Sequence, residues 1–197
     1  MYNYFVGKIS ELSPTQVVVD CQGVGYELNI SLHTYEQLKD KDQAKVYSHL
    51  SIKEDAHTLF GFSDEFERQL FRQLLSVQGI GASTARMMLS SINPKDLTRA
   101  IASGNIALIR SVKGVGPKSA QRIILELQEK MQKQELTGDL SSVARGFSPN
   151  KEEALAALVM LGFAKNTIEK IIGQIATPSE LETLPVEEII KRALKKL

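Results

Sequence analysis

The feature that most constrains this chain is a nine-residue pattern that occurs twice. Residues 77–85 read VQGIGASTA, and residues 112–120 read VKGVGPKSA. The copies align without a gap, because Gly114 follows Gly79 by 35 positions and every other residue of the pattern keeps that offset. A repeated Gly-hydrophobic-Gly turn, each time followed by a helical pattern, predicts two copies of one helix–turn–helix unit packed together.

The turn in each copy has the chemistry of an anion site. Glycine adopts a positive φ at little cost and lets another backbone approach closely. A helix that begins just after the turn leaves its first N–H groups unpaired and adds the positive end of its dipole, which together favour a bound phosphate. The hydrophobic residue between the glycines, Ile80 or Val115, is expected to enter the core and hold the turn rigid. The alternative is a pair of corners that only pack.

The two copies resemble the helix-hairpin-helix DNA-binding motif, and the tandem pair resembles the form that grips a duplex across its minor groove. The distribution of charge agrees with this resemblance. The whole chain has a net charge of only +1. Residues 64–135, however, hold 11 Lys and Arg against 7 Asp and Glu, whereas residues 1–63 hold 5 against 8. The positive charge therefore lies with the hairpins, where it would neutralise phosphates.

Residues 1–63 are predicted to form a small barrel. Runs of β-branched and aromatic residues separated by turn residues cover residues 4–9, 15–20, 24–30, 44–52 and 58–62. A short helical stretch lies between the third and the fourth run. Five strands with a helix after the third are typical of the OB-fold, a partly open barrel that often binds nucleic acid.

The turn before the last predicted strand is acidic, because Glu54 and Asp55 are adjacent there. Composition alone favours an ordinary solvated turn. Carboxylates held near converging phosphates would instead repel them, and so part the strands or reject a wrong geometry. Two adjacent acids without a histidine or a third ligand make a poor metal site, so we predict no bound metal.

The rest of the chain is predicted to be helical in two parts. Residues 64–135 carry apolar residues at helical spacing around the two turns, whereas residues 136–150 lack periodicity and are predicted to be a flexible linker. Residues 151–197 are predicted to form three short helices, the second capped by Asn166 and Thr167. So small a core leaves apolar surface for a partner. The predicted fold class is α+β and multidomain, with an OB-fold barrel, a helical hairpin domain and a three-helix domain.

Several classes of protein are disfavoured by what the sequence lacks. No apolar run approaches the ~20 residues that span a membrane, and we expect no signal peptide. The single cysteine, Cys21, excludes an internal disulfide. No GxxxxGK[ST] stretch is present to bind ATP. We therefore expect a cytoplasmic protein with no cofactor and no catalytic site of its own.

The order of these segments, with KEDA at 53–56 leading to LFGF at 59–62, resembles the RuvA family of Holliday-junction branch-migration subunits over essentially the whole chain. The resemblance implies a homotetramer whose concave face holds an open four-way junction, alone or between two tetramers as an octamer. It implies that the three-helix domain, similar to a ubiquitin-associated (UBA) fold at 161–163, binds the hexameric ATPase RuvB. It also implies a RuvC-type resolvase as a partner, in recombination and DNA repair.

The resemblance also assigns contacts to particular residues. DNA contacts fall on Gly79, Ile80, Gly81, Ala82, Ser83, Thr84, Gly114, Val115, Gly116, Lys118, Ser119 and Arg122. Glu54 and Asp55 match an acidic pin at the junction centre, which favours the repulsive interpretation of that turn. Motor contacts are expected at Leu158, Leu161, Phe163 and Ile172. The first hairpin departs from the family pattern, because relatives often carry a lysine just after the second glycine, so Arg86 is expected to assist there.

Two other functions fit parts of the sequence. Residues 114–120 are similar to the segment that carries a nucleophilic lysine in helix-hairpin-helix DNA glycosylases and lyases. The downstream aspartate of that group has no good match, since Asp139 falls in the predicted linker, and the four-cysteine cluster is missing. The other alternative is an adaptor that acts mainly through residues 151–197.

Overall fold

The computed structural model of the protein describes residues 2–140, 149–177, 180–181 and 184–196. The chain divides into two units, Met1–Asp139 and Leu140–Leu197. Among the described helices, none combines the length and the apolarity that a membrane span requires.

The first unit begins with a closed barrel of five strands. The elements are β1 (Tyr4–Ser13), β2 (Gln16–Cys21), β3 (Val24–Ile30), helix α1 (Leu32–Leu38), β4 (Gln43–Ile52) and β5 (His57–Phe62). The strand order is β1-β2-β3-β5-β4, with β3 and β5 parallel and the other neighbouring pairs antiparallel. The predicted barrel is confirmed. Strand β1 is longer than expected, because a bulge between Ile9 and Glu11 shifts its register and lets it go on pairing with β2.

Five helices complete the first unit. They are α2 (Glu65–Ser76), α3 (Ala82–Ser91), α4 (Pro94–Ala102), α5 (Ile106–Arg110) and α6 (Pro117–Leu140). Polar side chains cap three of them at the N-terminus: Asp64 accepts from the N–H of Glu67, Asn93 from that of Lys95, and Asn105 from that of Leu108. Each hairpin is thus a pair of helices around one glycine turn, α2 with α3 and α5 with α6.

The last strand of the barrel belongs to the core of the helices, although the sequence suggested a domain boundary at residue 63 and the rest of the barrel interior forms a buried cluster of its own. Phe60 and Phe62 lie on β5 and pack against Phe71 of α2. Their ring centroids are 5.2 and 4.9 Å, respectively, from the ring centroid of Phe71. All three rings belong to the buried cluster that also fills the space between the hairpin helices. The last strand therefore ties the barrel rigidly to the two turns.

A buried carboxylate strengthens the same junction. Glu67 of α2 is fully buried and accepts hydrogen bonds from the hydroxyls of Ser31 and Thr34, the latter at 2.6 Å. The N–H of Ser63 donates to the same carboxylate at 3.2 Å, and Ser31 also caps helix α1. The side chain of Glu67 thus holds both the start of α1 and Ser63, the residue that follows β5.

Two further side chains of this junction are polar and largely buried. Arg68, next along α2, donates to the backbone and side-chain oxygens of Asn3 and to the Ser48 carbonyl, which links α2 to β4 and to the chain just before β1. His49 packs edge-on against Phe71. Burial, and then the charges of Arg72 and Arg68, lower the pKa of His49, so its imidazole is neutral at pH 7.

The predicted linker is shorter than expected at both ends, because α6 continues to Leu140 and the next helix begins at Pro149. Helix α6 passes through Thr137 and Gly138, whose helix propensities are each at most about 1 kcal/mol worse than that of alanine. The strong helix formers that precede them sustain the helix over this stretch. Residues 141–148 of the predicted linker lie outside the described residues.

The second unit contains helices α7 (Pro149–Met160), α8 (Lys165–Ile175) and α9 (Val186–Leu194) around a small apolar core. Helix α7 ends in a Schellman motif, in which Gly162 has a φ of 99° and the N–H of Phe163 donates to the Leu158 carbonyl. The predicted cap at Asn166 and Thr167 is wrong. Ala164 leaves the turn with an extended backbone, at a φ of −68° and a ψ of 129°, and is itself the N-cap, so α8 begins at Lys165 and has no side-chain capping bond.

We predict that Glu67→Ala lowers the free energy of unfolding of the first unit by about 2–3 kcal/mol, because buried donors of Ser31, Thr34 and Ser63 lose their acceptor. Urea denaturation followed by circular dichroism measures the change. Glu36→Ala is the control, since Glu36 forms an exposed pair with Lys39 and should change stability by no more than about 0.5 kcal/mol. Equal effects of the two substitutions would contradict a structural role for the buried carboxylate.

Candidate nucleic-acid interface

The first hairpin turn is built by one glycine and two apolar residues. Gly79 has a φ of 90°, and the N–H of Ile80 donates to the Val77 carbonyl at 3.1 Å, which defines a type II β-turn over residues 77–80. Val77 and Ile80 are buried at 1% and 6% exposure. The turn is therefore anchored in the core, as the sequence predicted for Ile80.

The second turn repeats this geometry 35 residues later. Gly114 has a φ of 92°, and the N–H of Val115 donates to the Val112 carbonyl at 3.1 Å. In both hairpins the first helical hydrogen bond spans 2.9 Å, from Ala85 to Gly81 and from Ala120 to Gly116. The sequence repeat is thus a repeat of hydrogen bonds. The side chains of Ile80 and Val115 are buried and their N–H groups close the turns, so neither residue has a side chain or a free N–H group with which to contact a ligand.

Each turn presents backbone N–H groups that the helix itself does not use. In α3 these belong to Ala82, Ser83 and Thr84, which precede the first helical donor. In α6 they belong to Lys118 and Ser119 only, because Pro117 has no N–H. We call these two groups the first and the second amide cluster. The N-cap of α3 is Gly81, which has no side chain to satisfy the first cluster.

The second glycine of each turn has no internal reason to be glycine. Gly81 has an extended backbone with a φ of −92°, which any residue adopts. A Cβ placed on Gly81 or on Gly116 would meet nothing within 4 Å in the protein. Glycine at these positions therefore keeps space open on the outside of the turn, as close approach of another molecule requires.

The charge of the two hairpins differs. The second hairpin carries Lys113 in its turn and Lys118 in the first turn of α6, and both side chains are exposed. At the positions 35 residues earlier, the first hairpin has Gln78 and Ser83. The first cluster thus has more amides and no cation of its own, and the second has fewer amides and two exposed lysines.

The two arginines expected at this surface are engaged within the protein. Arg86 donates to the Thr15 carbonyl at 3.2 Å and to Oδ1 of Asn29 at 3.0 Å, so it ties α3 to the barrel. Arg122 donates to the carbonyl and to Oε1 of Gln78. No pattern in the sequence indicates either interaction, because the partners lie 71, 57 and 44 residues away.

The structure brings the acidic turn next to the first amide cluster. Glu54 and Asp55 are exposed at the tip of the β4–β5 hairpin, which the N–H of Lys53 closes by donating to the Ala56 carbonyl at 2.9 Å. Lys53 and Asp55 line a cleft of about 300 Å³ together with residues 81–84 of the first hairpin. The carboxylate of Asp55 and the first amide cluster therefore border one cleft, which the cations Lys53 and Arg86 also line.

The arrangement does not fit the lyase alternative. Lys118 and Asp139 lie 21 residues apart on the same helix, α6, which separates them by about 30 Å at 1.5 Å per residue. A nucleophilic lysine and its acidic partner must be within hydrogen-bond reach or one water apart. Among the described residues, no three His, Cys, Asp or Glu side chains form a group that could hold a metal ion.

Two of the four residues expected to contact a motor are core residues of the second unit. Leu158 and Ile172 are fully buried, because three short helices need both of them to close their core. Phe163 is half-buried and packs against that core. Leu161 is 61% exposed, beside Met160 at 89%. Among the described residues of the second unit, Met160 and Leu161 at the end of α7 are thus the most exposed large apolar side chains, ahead of Leu194 and Val159, and the helical periodicity alone did not identify this surface.

Comparison with known proteins covers the chain from end to end. Three family models match in order: the RuvA N-terminal domain over residues 1–61, a SAM-like helix-hairpin-helix tandem over residues 71–129, and the RuvA C-terminal domain over residues 149–197. Two similar proteins are the Holliday junction branch migration complex subunits RuvA of Christiangramia forsetii and Flavobacterium psychrophilum, at 48% and 49% identity over the full length of both chains. That of Cytophaga hutchinsonii is 47% identical over 99% of each chain.

We predict that Gly81→Ser weakens DNA binding about tenfold while stability is kept or rises by up to about 1 kcal/mol. Serine caps a helix better than glycine, but its side chain occupies the open space outside the turn. Gly79→Ser is the matched variant, and it should lower stability by about 1–2 kcal/mol because a φ of 90° strains any L side chain. Melting temperatures and fluorescence anisotropy with labelled DNA give the two quantities. Unchanged DNA affinity for Gly81→Ser would argue against contact at the first cluster.

Proposed function

This chain belongs to the RuvA family, and on that premise we propose that it binds four-way junction DNA without catalysis of its own, as the DNA-holding subunit of a branch-migration complex. The observation that carries the proposal is the pair of amide clusters, which repeat one hydrogen-bonding geometry and keep open space outside each turn. The process it serves is recombination and DNA repair.

Amide clusters suit a protein that must hold DNA while it moves. Contacts to phosphates fix position and orientation but carry no sequence information. A junction that migrates presents every sequence in turn, so contacts to base edges would hold it at preferred sites. The two clusters together, with Lys113 and Lys118 beside the second, would grip one arm at two points of its backbone.

We place the acidic turn at the centre of the junction. The strands of four arms converge there, and phosphates that approach Glu54 and Asp55 are repelled. The cleft shared by Asp55 and the first amide cluster supports this placement, because a backbone bound at the amides leads toward the carboxylates. The turn would hold the crossing open and separate strands that exchange partners.

The assembly follows from the symmetry of the DNA. Four arms of similar geometry are matched by four copies of one subunit, so we propose a homotetramer, with a second tetramer able to close over the other face. A RuvB-type hexameric ATPase would supply the movement, and a RuvC-type resolvase would act on the same junction. We place the motor contact on Met160 and Leu161 at the end of α7.

The test of the function compares a synthetic four-way junction with a linear duplex of equal length over a series of salt concentrations. We expect the junction to bind at least about tenfold more tightly at each salt concentration, with affinity for both falling steeply as salt rises. Equal affinities would leave a general duplex binder and would overturn the proposal.

Substitutions in the acidic turn test its role separately from DNA binding at the amide clusters. In the doubly substituted protein Glu54→Gln/Asp55→Gln, junction affinity should stay equal or increase, because repulsion is removed, while branch migration by the complete complex should change. Asp40→Asn/Asp42→Asn is the matched control, since it removes the same charge from another exposed turn of the barrel. If both pairs alter migration equally, general charge rather than the position of Glu54 and Asp55 is responsible.

For the second unit we predict that Met160→Gln/Leu161→Ser reduces affinity for a RuvB-type ATPase about tenfold and leaves junction binding intact, because both side chains are exposed. Isothermal calorimetry with the ATPase measures the loss. Leu158→Ala should instead unfold the second unit, at a cost of about 2–5 kcal/mol for an emptied core position. Leu32→Ser, at an exposed leucine of the barrel, is the control and should leave ATPase affinity unchanged. An unaltered affinity for Met160→Gln/Leu161→Ser would place the motor contact elsewhere.

A further inference from the structure

The second hairpin carries a third cation, Arg122, besides Lys113 and Lys118, and the first hairpin has no charged residue at the aligned position. Arg122 of α6 aligns with Met87 of α3, just as Lys113 aligns with Gln78 and Lys118 with Ser83, each 35 residues apart. These three cations of the second hairpin therefore align with uncharged residues of the first. Unlike the two lysines, Arg122 makes contact with the first hairpin.

In the first hairpin, the hydrogen bonds of Arg122 go to a single residue, Gln78. A guanidinium nitrogen of Arg122 donates to Oε1 of Gln78 at 2.9 Å and to the Gln78 carbonyl at 3.3 Å, while Nε lies 3.7 Å from the Glu126 carboxylate. The side chain is 47% exposed, so it lies across the surface between the hairpins. Glu126, one turn further along α6, helps to keep the guanidinium in this direction.

The Gln78 carbonyl belongs to the peptide whose orientation distinguishes a type II turn from a type I turn. In a type II turn this central peptide is flipped, and the residue after it takes a positive φ, as Gly79 does at 90°. A donor fixed on the Gln78 carbonyl favours that orientation. The first amide cluster begins four residues later, so the orientation of the turn sets the direction in which its N–H groups point.

We propose that Arg122 is a positioning residue, which holds the turn of the first hairpin in its type II form and at a fixed place relative to the second hairpin. The proposal rests on the function proposed above, because its benefit is a preset spacing between two phosphate sites. A preset site loses less conformational entropy when DNA binds. The first hairpin has no cation at the aligned positions, so the conformation of its turn depends on Arg122 of the second hairpin.

A positioning residue and a phosphate ligand respond differently to Arg122→Lys. Lysine keeps the positive charge and is a good point-charge partner for phosphate, so a ligand role would survive the change largely intact. An ammonium group on a flexible stem does not reproduce the guanidinium that lies between Gln78 and Glu126. We therefore expect Arg122→Lys to weaken junction binding about three- to tenfold, as loss of an ordinary hydrogen bond does for a half-exposed side chain, with an unchanged salt dependence.

The first measurement needs no DNA. Hydrogen exchange of the full-length protein should show faster exchange at residues 78–81 in Arg122→Lys than in the unsubstituted protein, and equal rates at residues 113–116. The second measurement is a double-mutant cycle of junction binding. Gln78→Ala should weaken binding about threefold alone and should add nothing in the Arg122→Lys background, because the side-chain hydrogen bond that it removes is one of the two that Arg122→Lys has already removed.

Lys118→Gln is the control for a phosphate ligand. It should lower the slope of log affinity against log salt by about 0.9 for each phosphate that the side chain no longer neutralises, without changing exchange at residues 78–81. Unchanged exchange at these residues in Arg122→Lys overturns the proposal whatever the DNA data show, as does junction affinity equal to that of the unsubstituted protein. Faster exchange together with no preference for junctions over duplexes would instead retain the positioning of the turn and refute the proposed function.

Discussion

The buried carboxylate of Glu67 and the ring of Phe71 fix how the first unit is put together. Both lie on α2, and together they hold the start of α1, the exit from β5 and the inner face of the first hairpin. The acidic turn lies at the far end of the β4–β5 hairpin, so its place relative to the amide clusters is set through this contact. If only the polypeptide chain joined the barrel to the hairpin helices, the distance between the acidic turn and the amide clusters would not be fixed.

In the proposed function the two hairpins would hold phosphates by different means. The first offers three free backbone amides and no lysine, whereas the second offers two amides and two exposed lysines. Backbone amides are fixed in direction and depend weakly on salt, while lysines act over a longer range and are screened by salt. One hairpin is thus suited to orient a strand and the other to attract it.

The parts of this architecture that are local in sequence could be predicted, and those that depend on distant contacts could not. The barrel strands and the turn glycines follow from residue spacing, so their prediction needed no knowledge of the fold. Periodicity showed that Leu158 and Ile172 lie on apolar faces but not that three short helices must bury both. The engagement of Arg86 and Arg122 was equally hidden, because a surface arginine has the same sequence pattern whether it meets solvent, DNA or a carbonyl of its own chain.

The hydrogen bond between Arg122 and Gln78 also bears on how a duplicated unit can diverge. Two identical copies of the second hairpin would place a lysine at position 78, directly against the guanidinium of Arg122, and like charges would push the turns apart. A neutral acceptor in one copy and a cation in the other remove that conflict. Once this division exists, the two copies of the pattern are no longer interchangeable at this position, because a lysine in place of Gln78 would lose the side-chain acceptor that Arg122 uses.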